Sequence, residues 1–432
     1  MKIHLRFLLL TAIVLVLLSD RAFTQFAFER DDDPLLGKYQ YLLVGLGLAG
    51  GLFYFRTMEP LMRTWFLVLL GCLGGLALES YHGWGSWAVY PHVFSKLTVL
   101  LPLFAVYGYY RRRGLPPLPL LVRLILLGLA INLAFFNQDA LSLSAFLDNE
   151  RGFSVTSAYL LLPCAMLALN WYLSRGNWLW LLTFLGCVGL IIFLQHRTVW
   201  IATAVALVLN LLLIWRKVPG IRLSLHRLGP LVLVPVLALS TGGLAAALEN
   251  PNVVKKLVQS IEDIQNPTKQ GTGSWRMQQV ESYTPFVQER PLLGWRLDGF
   301  ELPVQFYSLD TDAPVWENGT GHHFHSFYLD RLFYFGLAGV LLVLLVPLIV
   351  AGRRLLNPAP FTPETAALLA YAGSAVTYGI SYDWPVYLYG MLGLVLAAIT
   401  QPAALPAAAP APRRRAEPLA PPQPHLLRHV PA

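Results

Sequence analysis

Charge is scarce in this chain: Asp, Glu, Lys and Arg make up only 13% of its 432 residues, where a soluble domain averages about 25%. With 56% hydrophobic residues and a mean hydropathy of +0.53, that deficit excludes a water-soluble globular protein and calls for a lipid solvent. Cysteine is scarcer still, at three residues. Cys72, Cys164 and Cys187 all lie inside apolar runs, without metal-ligand spacing or a disulfide pattern, so they say little about redox compartment. The net charge of +8 does not point to nucleic acid, because the basic residues form short clusters between apolar runs. Arg111 to Arg113, Arg216 with Lys217, Arg353 with Arg354, and Arg413 to Arg415 are placed as orientation signals.

Length alone would allow two or three soluble domains, but apolar stretches recur from residue 7 to residue 400 with one long interruption. A spanning helix needs about 20 mostly apolar residues. On that measure about twelve spans are expected, at 5–19, 40–55, 62–78, 93–110, 119–136, 154–174, 177–194, 198–215, 229–248, 325–350, 363–382 and 385–401. The first could be a signal peptide, but Ser19, Asp20 and Arg21 supply no small-residue cleavage pattern, and a retained helix is expected.

Lys and Arg in short loops stay cytoplasmic. With Lys2 and Arg6 inside, every short basic loop falls on the cytoplasmic side, as does the tail. The opposite face receives Asp31 to Asp33, the aromatic loop Tyr81 to Tyr90, the loop Asn137 to Gly152, the tight turn Gln195 to Arg197 and the long segment from about Glu249 to Phe324. The expected organisation is therefore nine spans in 1–248, a large outer loop in 249–324, three spans in 325–401, and a Pro- and Ala-rich disordered tail in 402–432. Within the loop, Val253, Val254, Leu257, Val258 and Ile261 have the spacing of a surface helix. Ser274 is placed to cap a second helix running from Trp275 to about Arg290, ended by Pro291 and Gly294.

Three places carry chemistry. Arg197 stands at the outer mouth of a helical hairpin in Gln195-His196-Arg197-Thr198-Val199-Trp200, where an ionisable group near hydrocarbon either binds something or snorkels to headgroups. Arg276 is expected to open the second loop helix, whose free N–H groups also favour an anion, unless it is a solvated surface arginine. Gly321-His322-His323-Phe324-His325-Ser326 directly precedes a span. Three close histidines invite a metal, but no carboxylate or cysteine stands at a recognised ligand interval. A histidine suits general-base work, and His325 is the one where the loop enters the membrane. Asp330 and Asp383 lie at membrane edges and could pair with Arg331 or Arg197, with nothing in the sequence to select a partner. Asn318-Gly319-Thr320 fits a glycosylation sequon, a pattern common by chance.

These features together resemble the O-antigen ligase family. Its signature near the end of the large loop is His, then Asn, Ser or Gln, nine residues, Gly, two residues, and Gly, Thr or Tyr. His325-Ser326, Phe327 to Phe335, Gly336, and Gly339 match it throughout. Arg276 with Val280, followed by Arg290-Pro291-Leu292-Leu293-Gly294 and Asp298-Gly299-Phe300, is similar to a second element, with Val in place of Leu; Arg197 with Trp200 is similar to a third. The resemblance covers roughly residues 195 to 350. It implies an all-α polytopic membrane protein of the GT-C-like kind in the bacterial inner membrane, with both termini cytoplasmic and the site periplasmic. The donor would be a glycan on undecaprenyl diphosphate and the acceptor lipid A-core or another glycan or protein. His325 would be the general base, Arg197 and Arg276 would hold the diphosphate, and Arg290, Trp200, Ser326 and His323 would contact substrate. No metal and no cofactor are called for.

The alternatives are a polysaccharide polymerase, a protein O-oligosaccharyltransferase of the same superfamily, and a transporter of lipid-linked glycan. Polymerases of this kind usually have two sizeable outer loops, and here one segment exceeds about thirty residues. Transporters place ionisable groups near the bilayer midplane, often in repeated halves; these spans are expected to be almost free of buried charge, with no internal repeat.

Overall fold

The computed structural model describes residues 2–28, 34–148, 153–240, 251–266, 272–302 and 322–401. The tail from Pro402, Asp31 to Asp33 and the Asn318-Gly319-Thr320 sequon lie outside them. Among the described residues every regular element is helical. The chain begins with α1 (Lys2–Leu17), α2 (Arg21–Thr24), α3 (Pro34–Tyr54), α4 (Pro60–Trp84), α5 (Pro91–Thr98), α6 (Leu101–Arg113) and α7 (Leu118–Phe135). It continues through α8 (Leu143–Asp148), α9 (Val155–Tyr159), α10 (Leu161–Arg175), α11 (Trp178–Phe193), α12 (Arg197–Lys217) and α13 (Leu225–Ser240). The last group is α14 (Pro251–Gln265), α15 (Thr272–Glu289), α16 (Asp298–Glu301), α17 (Phe327–Leu356), α18 (Pro363–Ser381) and α19 (Val386–Thr400).

Where the expected segments are described they fall on helices, since backbone in lipid must satisfy its own hydrogen bonds; the end of the expected span 229–248 lies outside the described residues. Six of the segments are long and apolar enough to cross a membrane: 60–84, 91–113, 118–135, 155–175, 197–217 and 327–356. Shorter apolar helices lie at 7–17, 178–193, 225–237 and 386–400. Two expected spans are split, α5 from α6 and α9 from α10. Pro102 and Pro163 stand just past the breaks, where a missing N–H is tolerated because it has no helical partner.

The core is formed by α6, α10, α18 and α19, whose side chains are buried almost throughout. α12 lies along α18, α6 packs on both α19 and α3, and α10 packs on α11 and α18. Peripheral helices turn Leu52, Leu127, Leu182 and Leu233 outward, as suits a lipid-facing rim. Within the apolar core, Asn170 and Asn210 exchange two amide hydrogen bonds of 2.9 and 2.7 Å, and Asn170 also donates to the Pro363 carbonyl at 2.7 Å. These bonds fix α10, α12 and α18 together where the alternative is an unpaired amide in hydrocarbon.

Charge is segregated by helix end. Arg111 to Arg113 close α6, Arg175 closes α10, Arg216 and Lys217 close α12, and Arg353 and Arg354 close α17. The end of α4 and the segment leading into α5 meet residues 296–301. Trp84 donates to Glu301 at 2.9 Å, Tyr90 also donates to Glu301, and Arg296 pairs with Glu79 at 2.7 Å.

α17 is broken at Gly336, which has φ 59° and ψ −158°. The break would orphan the carbonyls before it and the N–H groups after it, a heavy cost inside a protein. The turn Pro291–Arg296 supplies four partners. Trp295 and Arg296 donate to the carbonyls of Phe333 and Tyr334 at 2.9 and 2.7 Å, while Leu337 and Ala338 donate to those of Pro291 and Leu292 at 2.8 and 3.0 Å. Gly294, with φ 63°, faces Gly336 so closely that a Cβ on either would stand 2.4 to 2.5 Å from the other segment's backbone. The loop is thereby pinned to the membrane helix beside the histidine cluster.

Candidate active site

The three clustered histidines have different surroundings. His322 is buried; its Nδ1 meets the Tyr283 hydroxyl at 2.7 Å, its Nε2 meets the Leu302 carbonyl at 2.8 Å, and its own carbonyl accepts from Tyr334 at 2.7 Å. It anchors the segment, and burial holds its pKa below the ordinary value. His323 is exposed, with its carbonyl accepting from Gln279 at 3.1 Å and its ring 4.0 Å from that of His92. Desolvation of the ring on its packed side, and then the charge of Lys96, depress its pKa. Ser326 caps α17, its Oγ accepting from the Leu329 N–H at 3.4 Å and donating to the Gly379 carbonyl at 3.3 Å.

His325 remains accessible to solvent with its ring edge-on to Trp275, centroids 4.8 Å apart. Partial burial of the ring, and then the positive charge of Arg276, lower its pKa from the usual 6.5. The neutral imidazole, the form able to take a proton, therefore dominates at pH 7.

The neighbour of Trp275 is Arg276. Its helix starts at Thr272 rather than at Trp275, so Arg276 is the fifth residue of α15 and lies one turn in from the end; Ser274 is helical rather than a cap. The Arg276 guanidinium carbon sits 4.5 Å above the Tyr382 ring. Its buried Nε has no hydrogen-bond partner, and among the described residues no carboxylate pairs with it. Consecutive residues of one helix thus rest on His325 and on Tyr382, and the Tyr382 carbonyl accepts from the Phe327 N–H at 3.3 Å, closing the group.

Arg197 is the first residue of α12 and is half-buried. The turn before it is held by Gln195, which has φ 54° and donates to the Phe146 carbonyl at 2.7 Å, and by His196, 2.9 Å from the Phe153 carbonyl. α12 runs antiparallel to α18: Phe361 donates to the Lys217 carbonyl at 2.8 Å at one end, and Leu209 meets Gly373 midway. The start of α12 accordingly lies at the same end as Ser381 and Tyr382, the end that carries Arg276 and His325. Two expected substrate contacts are engaged within the protein: Arg290 pairs with Asp298 at 2.9 Å and covers the Trp295 ring at 4.0 Å, and Trp200 donates to the Ile191 carbonyl at 2.8 Å.

The expectation of spans almost free of buried charge is corrected here. Lys96, Asp330 and Arg331 are buried in α5 and α17. Lys96 lies 2.6 Å from Asp330 and 3.7 Å from Asp383; Arg331 contacts Asp330, donates to the Tyr389 hydroxyl at 2.9 Å and lies 3.6 Å from Asp383. Two cations balance two carboxylates, as burial in low dielectric demands. The group sits at the site end of its helices, not at their middle. The available signal was Lys96, a lone lysine in an apolar run. Among the described residues no three of His, Cys, Asp and Glu converge as a metal site.

The geometry thus combines an accessible neutral imidazole with a guanidinium that has no carboxylate partner among the described residues, at the end of the helical bundle opposite its basic ends and inside the stretch whose motifs suggested glycan transfer. Residues 160–344 match the O-antigen ligase family. The matching segment contains Arg197, Arg276 and His325 together with the Gly336 break. No curated protein matches the chain. Lys96, Tyr382 and Asp383 stand outside the O-antigen ligase match.

Proposed function

We propose that the protein transfers a glycan from undecaprenyl diphosphate to an acceptor hydroxyl, with lipid A-core as the acceptor, on the periplasmic face of the inner membrane. The observation that carries this is the partly buried, unpaired Arg276 beside a His325 kept neutral at pH 7. A guanidinium without a carboxylate is an open fork for a phosphate oxygen pair. Basic helix ends opposite the site support the periplasmic orientation.

The acceptor hydroxyl attacks the anomeric carbon from the face opposite the diphosphate, forming the new glycosidic bond with inverted configuration as the bond to the phosphate oxygen breaks. His325 takes the hydroxyl proton. The leaving diphosphate gains negative charge, which Arg276 and Arg197 stabilise in the transition state. This charge stabilisation comes from side chains, and the scheme calls for no divalent ion.

The test is transfer by purified protein in lipid nanodiscs given a defined lipid-linked donor and lipid A-core. His325→Ala, Arg276→Ala and Arg197→Ala are each expected to abolish product while the protein still inserts. Full activity of His325→Ala would overturn the base assignment, and loss of activity on chelation would require a metal. Offering a second donor molecule or a protein in place of lipid A-core separates ligase from polymerase and from protein O-oligosaccharyltransferase; substrate flux without covalent transfer would indicate a transporter.

A further inference from the structure

An arginine that must meet an anion needs a support that orients it without neutralising it. A carboxylate would do the first and spoil the second. An aromatic face does both, since its quadrupole attracts the cation and leaves the N–H fork free. Tyr382 stands in that relation to Arg276, 4.5 Å below the guanidinium carbon.

The ring is itself held from several directions. Tyr378 stacks on it at 5.4 Å, Tyr159 stacks on Tyr378 at 4.3 Å, and the Tyr159 hydroxyl bonds Ser374 at 2.9 Å. Tyr378 and Tyr159 are fully buried, so the stack extends from the site into the packed core. On the backbone side, the Tyr382 carbonyl takes the Phe327 N–H, two residues past His325. The next two residues are clamped as well: Asp383 lies between Lys96 and Arg331 at 3.7 and 3.6 Å, and Trp384 stacks on Phe327 at 4.5 Å.

We propose that Tyr382 is a positioning residue, the top of a tyrosine stack that presents the Arg276 guanidinium to the anionic part of the substrate beside His325. This rests on the reading of Arg276 as the diphosphate ligand. It assigns a role to the turn between α18 and α19, outside the segment that matches the ligase family.

The test uses full-length protein in nanodiscs and phenylglyoxal, a reagent that modifies arginine, with mass spectrometry of the Arg276 peptide as the readout. Tyr382→Phe keeps the face and is expected to leave the labelling rate within about twofold of wild type, while Tyr382→Leu is expected to raise it roughly tenfold. Should Tyr382→Leu fail to fold, a series of phenylalanines carrying increasing fluorine at position 382 keeps the shape and drains the ring's negative face. Labelling should then rise step by step. A flat series, or Tyr382→Leu labelling at the wild-type rate, overturns the assignment. Undecaprenyl diphosphate is added in a separate arm. If it fails to protect Arg276 while the fluorine trend persists, the diphosphate reading falls and the Tyr382 support stands.

Discussion

Replacing Lys96 with methionine leaves Asp330 and Asp383 facing a single cation, Arg331, in a site where Asp330 and Arg331 are essentially sealed from solvent. At the observed 2.6 Å between Lys96 and Asp330, an effective dielectric of about 20 gives roughly 6 kcal/mol of gross attraction. Releasing the ammonium from burial offsets part of that, and Arg331 still contacts Asp330. Breaking one partner out of a buried ionic group typically costs about 3–5 kcal/mol, and the remaining arginine puts Lys96→Met near the lower end, about 3 kcal/mol. Asp330→Asn should be destabilising too, because it leaves the two cations with one carboxylate. In Lys96→Met/Asp330→Asn the balance of charge returns, so the double variant should lose less than the sum of the singles, by about 2 kcal/mol. Equilibrium unfolding of purified protein in mixed micelles, followed by tryptophan fluorescence, measures all four corners of the cycle. An unchanged midpoint for Lys96→Met, or strictly additive losses, would refute a coupled ionic group.

The remaining predictions concern the site and the helix break. His325 must be neutral to accept a proton and its pKa lies below the usual 6.5, so the acid limb of kcat/KM in a pH–rate profile should lie below that value; the His325 imidazole titration itself, followed by NMR, should move upward in Arg276→Gln, which removes the neighbouring positive charge. His322, His323 and His325 all bind protons less readily when folded than in the unfolded chain, so stability should be present above pH 6.5 and decline as pH falls below it toward the depressed values, as unfolding at successive pH values would reveal. Arg276→Lys should not restore transfer, because a point charge lacks the planar fork; the transfer assay with this variant decides. Gly336→Ala should cost about 1–3 kcal/mol from its positive φ alone, with a further penalty from a Cβ placed 2.4 Å from Leu292, seen as a lowered unfolding midpoint.

The helices were legible because hydropathy and hydrogen-bond demand act locally: an apolar run in lipid has no other conformation. His325 and Arg276 stand out in the sequence for a related reason, since the loop motifs place them at recognisable intervals along the chain, and the structure brings the two together. The second loop helix was misjudged by one turn at its start, where a serine with capping chemistry stood inside the helix. Lys96 and Tyr382 were not legible as parts of the site. One reads as a stray charge in a span and the other as the last residue of a span, and both acquire their roles through partners on other helices.

The amino-acid sequence by itself determined an all-helical membrane chain, a basic side and a site side, and a short set of side chains able to do acid–base and anion chemistry, because composition and periodicity record transfer from water to lipid residue by residue. Only the tertiary structure decided which histidine is an anchor and which is available, that Arg276 stands unpaired on a tyrosine face, and that the Pro291–Arg296 turn completes the broken helix at Gly336. Those outcomes depend on which distant groups meet in a low-dielectric interior, where an ion or a backbone carbonyl takes whatever partner the packing of helices delivers.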